Sequence, residues 1–451
     1  MRKHLDGRPK DTIYALSTAS GKAGLAVFRI SGPHAGVTFL SLSQRARLPE
    51  PRKATRCRLV DPESGEVIDD AIGIMYPTPA SFTGEDVVEL HVHGGSATIS
   101  ALASALSDSA GLRIAAPGEF LKRAFYSGKI DLTGAEAVAD LVDADTAEQR
   151  KQALDQMGGG LSGKLEMWRT DIIELQAKVE AGIDFPDEEI PTELHDLAVS
   201  GIKRLAADIR EYLDDSRRGE ILRDGFKVGI LGAPNAGKST ILNALVDREV
   251  AIVSEHAGTT RDVVEARIDI GGWPVVFFDT AGLRKTNDAV ESEGVRRALE
   301  VSKGVELRLA VFDASAPIDK ATLNELSTKN TIIVANKIDK TCKPVEWPSD
   351  TKVVAISAKT GKGLKELVSV LNSYIAKRFE IGTRKNFVTR ARHREALNES
   401  LAALVRASEV TAAELFAEDL RLAARSLGTV TGRVDVEDIL DRIFSEFCIG
   451  K

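Results

Sequence analysis

Gly232-Ala233-Pro234-Asn235-Ala236-Gly237-Lys238-Ser239 lies between an apolar run, Phe226 to Leu231, and the stretch Thr240 to Val246. The first reads as a buried strand and the second as a helix. A strand, a glycine-containing loop and a helix in that order make a phosphate cradle. Glycines let the backbone close around an anion, and the N–H groups from Asn235 and Ala236 through Gly237 to Thr240 face it. Lys238 adds positive charge, and Ser239 offers a hydroxyl to Mg²⁺.

The rest of a nucleotide site follows in order. Asn336-Lys337-Ile338-Asp339 comes after the apolar strand Thr331 to Ala335. A carboxylate at Asp339 accepts from the N1 and N2 donors of guanine; adenine has no such pair, so the choice falls on GTP. Ser357-Ala358-Lys359 follows a strand, Val353 to Ile356, and backs the base. Asp279-Thr280-Ala281-Gly282 follows the strand Val275 to Phe278. There Asp279 suits the outer hydration sphere of Mg²⁺, and the Gly282 N–H meets a γ-phosphate. Gly258-Thr259-Thr260-Arg261-Asp262 lies between, and Thr260 is the expected second protein ligand of Mg²⁺. Order and spacing resemble the translation-factor-related GTPases. Leu283 follows Gly282, where Ras-like enzymes carry a water-orienting glutamine. Leucine cannot hold water, so another group must; Arg261, Arg284, Glu291 and Glu293 are the nearby candidates.

At 451 residues the chain exceeds one core, so two or three domains are expected. Its 43% hydrophobic and 28% charged residues are those of a globular protein. No apolar run approaches the roughly 20 residues that span a bilayer, which predicts no membrane partner. The charged N-terminus lacks a signal-type apolar core. Three scattered cysteines, Cys57, Cys342 and Cys448, point to a reducing cytoplasm. A net charge of −7 argues against indiscriminate nucleic-acid binding. It leaves room for a local patch, and Arg384, Lys385, Arg390, Arg392, His393 and Arg394 are the candidate, with a solvated helix start as the alternative reading.

The pattern predicts an α/β domain over 1–128, helices over 129–222, a Ras-like GTPase unit over 223–378 and helices again over 379–451. In the first, short β-type runs (Leu25 to Ile30, Ala71 to Met75, Val87 to Val92) alternate with turns and a helix near Thr98 to Leu106. In the helical parts, Ile202, Leu205, Ile209 and Leu213, and later Leu397, Leu401 and Leu404, then Leu415, Leu420 and Leu427, recur at helical spacing. Helices on both sides of a self-contained unit suggest a GTPase inserted into a helical domain; two separate helical domains are the alternative. The fold class is therefore α/β plus α.

Several further motifs carry a resemblance. They are Arg29-Ile30-Ser31-Gly32, Ser81-Phe82-Thr83-Gly84-Glu85-Asp86, His93-Gly94-Gly95, Pro117-Gly118-Glu119-Phe120, Gly182-Ile183-Asp184-Phe185-Pro186-Asp187-Glu188 and the terminal Cys448-Ile449-Gly450-Lys451. With the GTPase motifs, these resemble the MnmE (TrmE) family of bacterial tRNA-modification GTPases from about Asp11 to Lys451. The resemblance implies an N-terminal domain that forms a homodimer and binds a tetrahydrofolate derivative, in the 5-formyl or methylene form, through Arg29, Glu89, Lys129 and Lys451. It implies an FAD-containing partner, MnmG (GidA), in a heterotetramer, and modification of carbon 5 of the wobble uridine of tRNA. It also implies a K⁺ ion held by Asn235 and by oxygens of the loop Ser254 to Thr259, with backbone carbonyls at His256 and Thr259. Glu291 matches the family's catalytic glutamate, which acts when two GTPase units pair. A GTP-dependent ribosome or RNA assembly switch without folate chemistry is the rival, and it leaves the N-terminal domain and the terminal tail unexplained.

Overall fold

A computed structural model describes residues 11–19, 21–184, 193–247, 251–252, 264–279, 305–317, 330–340, 347, 353–380, 390–410, 412–434, 440, 443–445, 447 and 450. The architecture is mixed α/β. The chain forms two compact units: Met1–Ala139 with Ser162–Arg169 and Arg425–Lys451, and Asp140–Leu161 with Thr170–Ala424.

The first unit is built on strands β1 (Thr12–Leu16), β2 (Ala26–Ser31), β3 (Thr55–Val60), β4 (Val67–Tyr76), β5 (Val87–Val92) and β6 (Leu112–Ile114). Their order is β3-β4-β5-β2-β1-β6, and among them only β1 and β6 pair in parallel. Ala26, Phe28 and Ile30 point into the core while Val27 and Arg29 point away, as the two-residue period of a strand requires. Phe28, Ile30, Leu59 and Leu90 pack against Phe39 and Leu42 of helix α1 (Ala35–Ser43) and Leu102 and Leu106 of α2 (Ser96–Ser107). Helix α3 (Glu119–Tyr126) and the start of α4 (Leu132–Val142) bury Leu121, Leu132 and Ala135 against Leu440, Phe444 and Phe447 near the C-terminus.

The second unit contains α5 (Ala147–Met157), part of α6 (Gly160–Asp184), α7 (Glu193–Asp224) and α10 (Ala391–Ala407), and shares α11 (Ala413–Thr431) with the first. On α7, Ile202, Leu205 and Ile209 are buried, and on α10 Leu397 and Leu404 are, in line with the periodicity. The stripe on α11 is shifted by one residue. Leu415 is 60% exposed, and Phe416 takes the inward position ahead of Leu420 and Leu427.

The nucleotide-binding sheet holds β7 (Phe226–Leu231), β8 (Ala251–Ile252), β9 (Val264–Ile270), β10 (Trp273–Asp279), β11 (Leu307–Asp313), β12 (Thr331–Asn336) and β13 (Val353–Ala355). The order is β13-β12-β11-β7-β10-β9-β8, parallel from β13 to β10 and antiparallel beyond. Its near-continuous apolar strands are buried beneath α8 (Lys238–Val246) and α9 (Leu364–Glu380). The sequence places the start of α8 at Thr240; the helix begins two residues earlier, because Lys238 and Ser239 form its first turn behind the cap Gly237.

Candidate functional site

The carboxyl ends of β7, β10, β11 and β12 lie side by side, which is where open α/β sheets take ligands. The loop after β7 carries the cradle. Gly232 has φ 149° and Gly237 φ 97°, and a Cβ would come within 2.2 Å of the Val311 carbonyl at the first and 2.3 Å of Asn336 Nδ2 at the second. Glycine is therefore obligatory at both ends of the loop. Asn235, at φ 64°, occupies the left-handed region that asparagine tolerates, and its side chain is exposed. Lys238 Nζ donates to the Gly232 and Ala233 carbonyls at 2.9 and 3.0 Å, which fixes the ammonium at the loop. Ser239 and Thr240 are exposed on the first turn of α8, the end of a helix whose dipole favours anions.

Asn336 and Lys337 tie this loop to the base-reading loops. Asn336 is 2% exposed; its Nδ2 donates to the Ala236 carbonyl at 2.9 Å and its Oδ1 accepts from Ala358 N–H at 3.1 Å. Lys337 Nζ donates to the Asn235 carbonyl and to Asp313 Oδ2, both at 2.6 Å. Ser357, fully buried, donates to Asp339 Oδ1 at 2.6 Å. That hydrogen bond, with Lys340 and Lys359 nearby, holds the exposed Asp339 carboxyl below its usual range, so it is an acceptor at neutral pH. Asp339→Asn is expected to weaken GTP by roughly tenfold or more and to favour xanthosine triphosphate, whose 2-oxo group suits an amide donor. A nucleotide titration in which the variant holds GTP as tightly as the parent would overturn the assignment.

The backbone of Asp279 ends β10, opposite Ile230 of β7. Thr280, Ala281, Gly282, Glu291, Ser254, His256, Thr259, Thr260 and Lys451 lie outside the described residues. Among the described residues, no group of three or more His, Cys, Asp or Glu is arranged to hold a metal ion. No helix among them is long and apolar enough to cross a membrane.

In the first unit, Arg29 on β2 and Glu89 on β5 are direct cross-strand neighbours within the sheet. Arg29 Nε and Nη2 donate to Glu89 Oε1 at 3.0 and 2.9 Å. The guanidinium lies 5.5 and 5.7 Å from the ring centroids of Phe82 and Phe120, and Phe82 is 41% exposed. His91, half-buried on the same face of β5, places its Nε2 3.7 Å from Glu89 Oε2. Lys129 is exposed and lies over Gly84, where a Cβ would meet its Cε at 3.4 Å. The tail reaches the same unit: Ser17 Oγ, just beyond β1, donates to the Gly450 carbonyl at 3.0 Å. Cationic groups, an acceptor carboxylate and an aromatic wall fit a planar heterocycle with an acidic tail.

The loop that carries Phe82 is anchored by a buried ion network that sequence reasoning missed. Arg123, 2% exposed, donates to Glu85, to Glu119 at 3.0 Å and to Asp11. Arg113 adds a two-pronged contact to Glu119 at 2.8 and 2.6 Å. Ser31 donates to Glu85 Oε2 at 2.7 Å. Burial pushes the Glu119 carboxyl up, but hydrogen bonds from Arg113, the Ala116 N–H and Arg123 outweigh it and hold it at about 2. The motifs Ser81 to Asp86 and Pro117 to Phe120 were the available signal, since each contributes a carboxylate to this network.

Two family models match the chain: "GTP-binding protein TrmE N-terminus" over residues 12–129 and "MnmE helical domain" over 132–448. The chain is 52% identical to the tRNA modification GTPase MnmE of Paramagnetospirillum magneticum, across 98% of this chain and 100% of that protein. The chain belongs to the MnmE (TrmE) family. Other MnmE proteins are close to it as well. Those of Parvibaculum lavamentivorans and Rhodospirillum rubrum are 51% and 49% identical, over 98% of this chain and 100% and 99% of their own lengths. The MnmE models also divide the chain in the sequence after Lys129, between α3 and α4.

Proposed function

We propose that the protein is the GTP-hydrolysing component of the complex that modifies carbon 5 of the tRNA wobble uridine, adding a carboxymethylaminomethyl group whose methylene next to the ring is a one-carbon unit from tetrahydrofolate and whose amine and carboxymethyl come from glycine. Family membership over nearly the whole chain is the observation that carries this reading. The glycine-walled cradle and the Ser357-held Asp339 support GTP as the nucleotide. Bound Mg²⁺ and K⁺ would offset charge on the phosphate oxygens. Ser239 and Thr260 would hold Mg²⁺, with Asp279 beyond its water. Asn235, with Ser254, His256 and Thr259, would hold K⁺; hard oxygens suit that ion. The exposed Asn235 side chain is compatible with that role.

Arg29, Glu89, Lys129 and Lys451 would bind 5-formyl- or methylene-tetrahydrofolate. Glu89 would accept from the amide-like donors of the pterin, and the cations would meet its acidic tail. The docking of Gly450 at Ser17 supports a site in this unit completed by the tail. The GTPase unit, 223–378, would be an insertion in a helical domain made of 129–222 and 379–451, preceded in the chain by an N-terminal domain over 1–128 that forms a homodimer. The partners would be the FAD-containing MnmG in a heterotetramer, and tRNA; the site of action is the cytoplasm.

Deleting Cys448 to Lys451 is expected to reduce formyl-tetrahydrofolate binding at least about tenfold, since it removes a charged contact and the cover over β1. GTP affinity should stay as it was. Calorimetry decides it: an intact protein that binds no folate would contradict the site and favour an assembly switch.

A further inference from the structure

The first unit concentrates more positive charge along one sheet edge than its fold uses. Six of the fourteen residues from Arg45 to Arg58 are arginine or lysine and one is glutamate, in a chain whose net charge is −7. The stretch runs from the turn after α1 into β3, and β3 is an edge of the sheet. Cys57 and Leu59 are buried, so Arg56 and Arg58 point to the opposite face, about 6–7 Å apart along the strand. Arg45, Arg47, Arg52 and Lys53 are exposed in the segment that leads into the strand.

Edge strands are commonly shielded by charge, and Arg45 does that here: its Nη1 donates to the Arg56 carbonyl at 3.0 Å. Arg52 is also employed. Its N–H donates to the Met75 carbonyl at 2.8 Å, and its guanidinium donates to the Ala80 carbonyl and lies 5.7 Å from the Tyr76 ring centroid. The other cations are surplus to that role. Arg47 and Arg58 make no hydrogen bond or salt bridge with a described residue. Carboxylates on these elements are already engaged: Asp70 by Arg56 Nε at 3.0 Å, Glu50 by Lys53 at 2.6 Å and Asp69 by His93 Nδ1 at 2.8 Å. Asp61, Glu63 and Glu66 lie beyond Val60, in the turn to β4. Both members of the Lys53–Glu50 pair are exposed, so Lys53 can exchange its partner for another anion at little cost.

The register puts this edge on the sheet face of the Arg29–Glu89 pair. Arg56 is opposite Ile72 of β4, and Ile72 is opposite His91 of β5. Glu89 lies two residues from His91 on the same side, opposite Arg29. Two strand spacings, about 10 Å, separate β3 from β5. Arginine forks match pairs of phosphate oxygens, and cations spaced along a strand match successive phosphates of a nucleic-acid backbone. No aromatic residue interrupts the run from Arg45 to Arg58, which favours contact with the backbone over stacking on bases.

We propose that the Arg45–Arg58 edge of the first unit is a docking surface for the phosphate backbone of tRNA, holding the substrate on the sheet face that carries Arg29 and Glu89. This rests on tRNA as the substrate partner, as read above. The contact positions the RNA and reads no base.

The test uses the full-length protein and an unmodified tRNA transcript with a wobble uridine, titrated by fluorescence anisotropy at salt concentrations from about 50 to 200 mM. The variant Arg47→Gln/Lys53→Gln/Arg58→Gln removes three exposed cations. It should weaken binding at least about tenfold and flatten the slope of log affinity against log salt by about two, the share of three phosphate contacts. GTP turnover should stay within about twofold, and the mass in solution should not change. Arg47→Lys/Arg58→Lys keeps the charge and should keep the parental slope. Lys365→Gln/Lys377→Gln/Arg378→Gln removes the same charge from exposed positions of α9 and should leave binding as it was. Parental affinity and slope in the first variant, an equal loss in the α9 variant, or a flattened slope in the lysine variant would overturn the proposal and leave the tRNA reading standing. A changed mass would assign the edge to contact between copies of this chain and overturn it too. A parent that binds no tRNA removes the tRNA reading and the docking surface together. Should the triple variant fail to fold, Arg47→Gln alone is judged by its slope, which should fall by about one.

Discussion

Replacing Glu291 with alanine is expected to lower GTP turnover by about 10²-fold or more while leaving GTP affinity little changed, the scale of a positioned group acting on the attacking water. The reason lies at the neighbouring switch position. Leu283 has no polar atom with which to hold water, so the glutamine of Ras-like enzymes has no counterpart there. Glu291 would order the water, through a second water, once two GTPase units pair. K⁺ dependence belongs to the same account, because no arginine is assigned as a finger within the chain. Asn235→Ala should abolish the K⁺ response and leave Asp339-dependent recognition of guanine intact. Rates are to be compared in Na⁺ and K⁺ buffers of matched ionic strength. Equal rates in the parent would remove the ion from the mechanism, and an active Glu291→Ala would remove the glutamate.

Replacing Arg123 with methionine should destabilise the first unit by about 3–5 kcal/mol, because Glu85 would keep its largely buried charge without this guanidinium and Glu119 would keep only Arg113 of its two. Urea unfolding followed by hydrogen exchange in β1, β2 and β5 reads this directly, and an unchanged midpoint would show that the network is dispensable. The pH dependence has a defined sign. Glu119 titrates at about 2 in the folded chain against 4.5 when unfolded. The unfolded chain therefore takes up the proton first. The stability that Glu119 contributes is complete above about 4.5, declines as pH falls and is gone below about 2. In Arg123→Met that decline should be shallower, since one of the hydrogen bonds that depress the carboxyl is lost.

The nucleotide site was legible because each of its motifs follows a strand and demands a backbone geometry that few residues can adopt. Gly232 and Gly237 leave no room for a side chain, and strand β7 matches the apolar run that announces it. The Arg29–Glu89 pair could be named from the resemblance alone. Its geometry depends on the register of β2 against β5, which lie 60 residues apart in the chain, and local pattern carries no information about such pairing. The ion network around Arg123 escaped for the same reason: its partner Asp11 is 112 residues away. The basic run after the GTPase unit reads as a tRNA-facing patch or a solvated helix start. Within its described part Arg390 binds Asp140, Arg394 binds Glu220 at 3.1 Å and His393 is fully buried. Charge in a sequence does not reveal whether its partner is a phosphate or a distant carboxylate. Leu415 and Phe416 make a smaller case, where two adjacent apolar residues left the phase of the helix open by one position.

The most direct test of the whole account is nucleoside mass spectrometry of tRNA incubated with this protein, the FAD-containing partner, GTP, Mg²⁺, K⁺, methylene-tetrahydrofolate and glycine, whose amine and carboxymethyl carbons complete the group. The account predicts carboxymethylaminomethyl at carbon 5 of the wobble uridine, absent when GTP or the folate is withheld and absent with Glu291→Ala. Unmodified tRNA in the complete mixture, with GTP fully turned over, would contradict it.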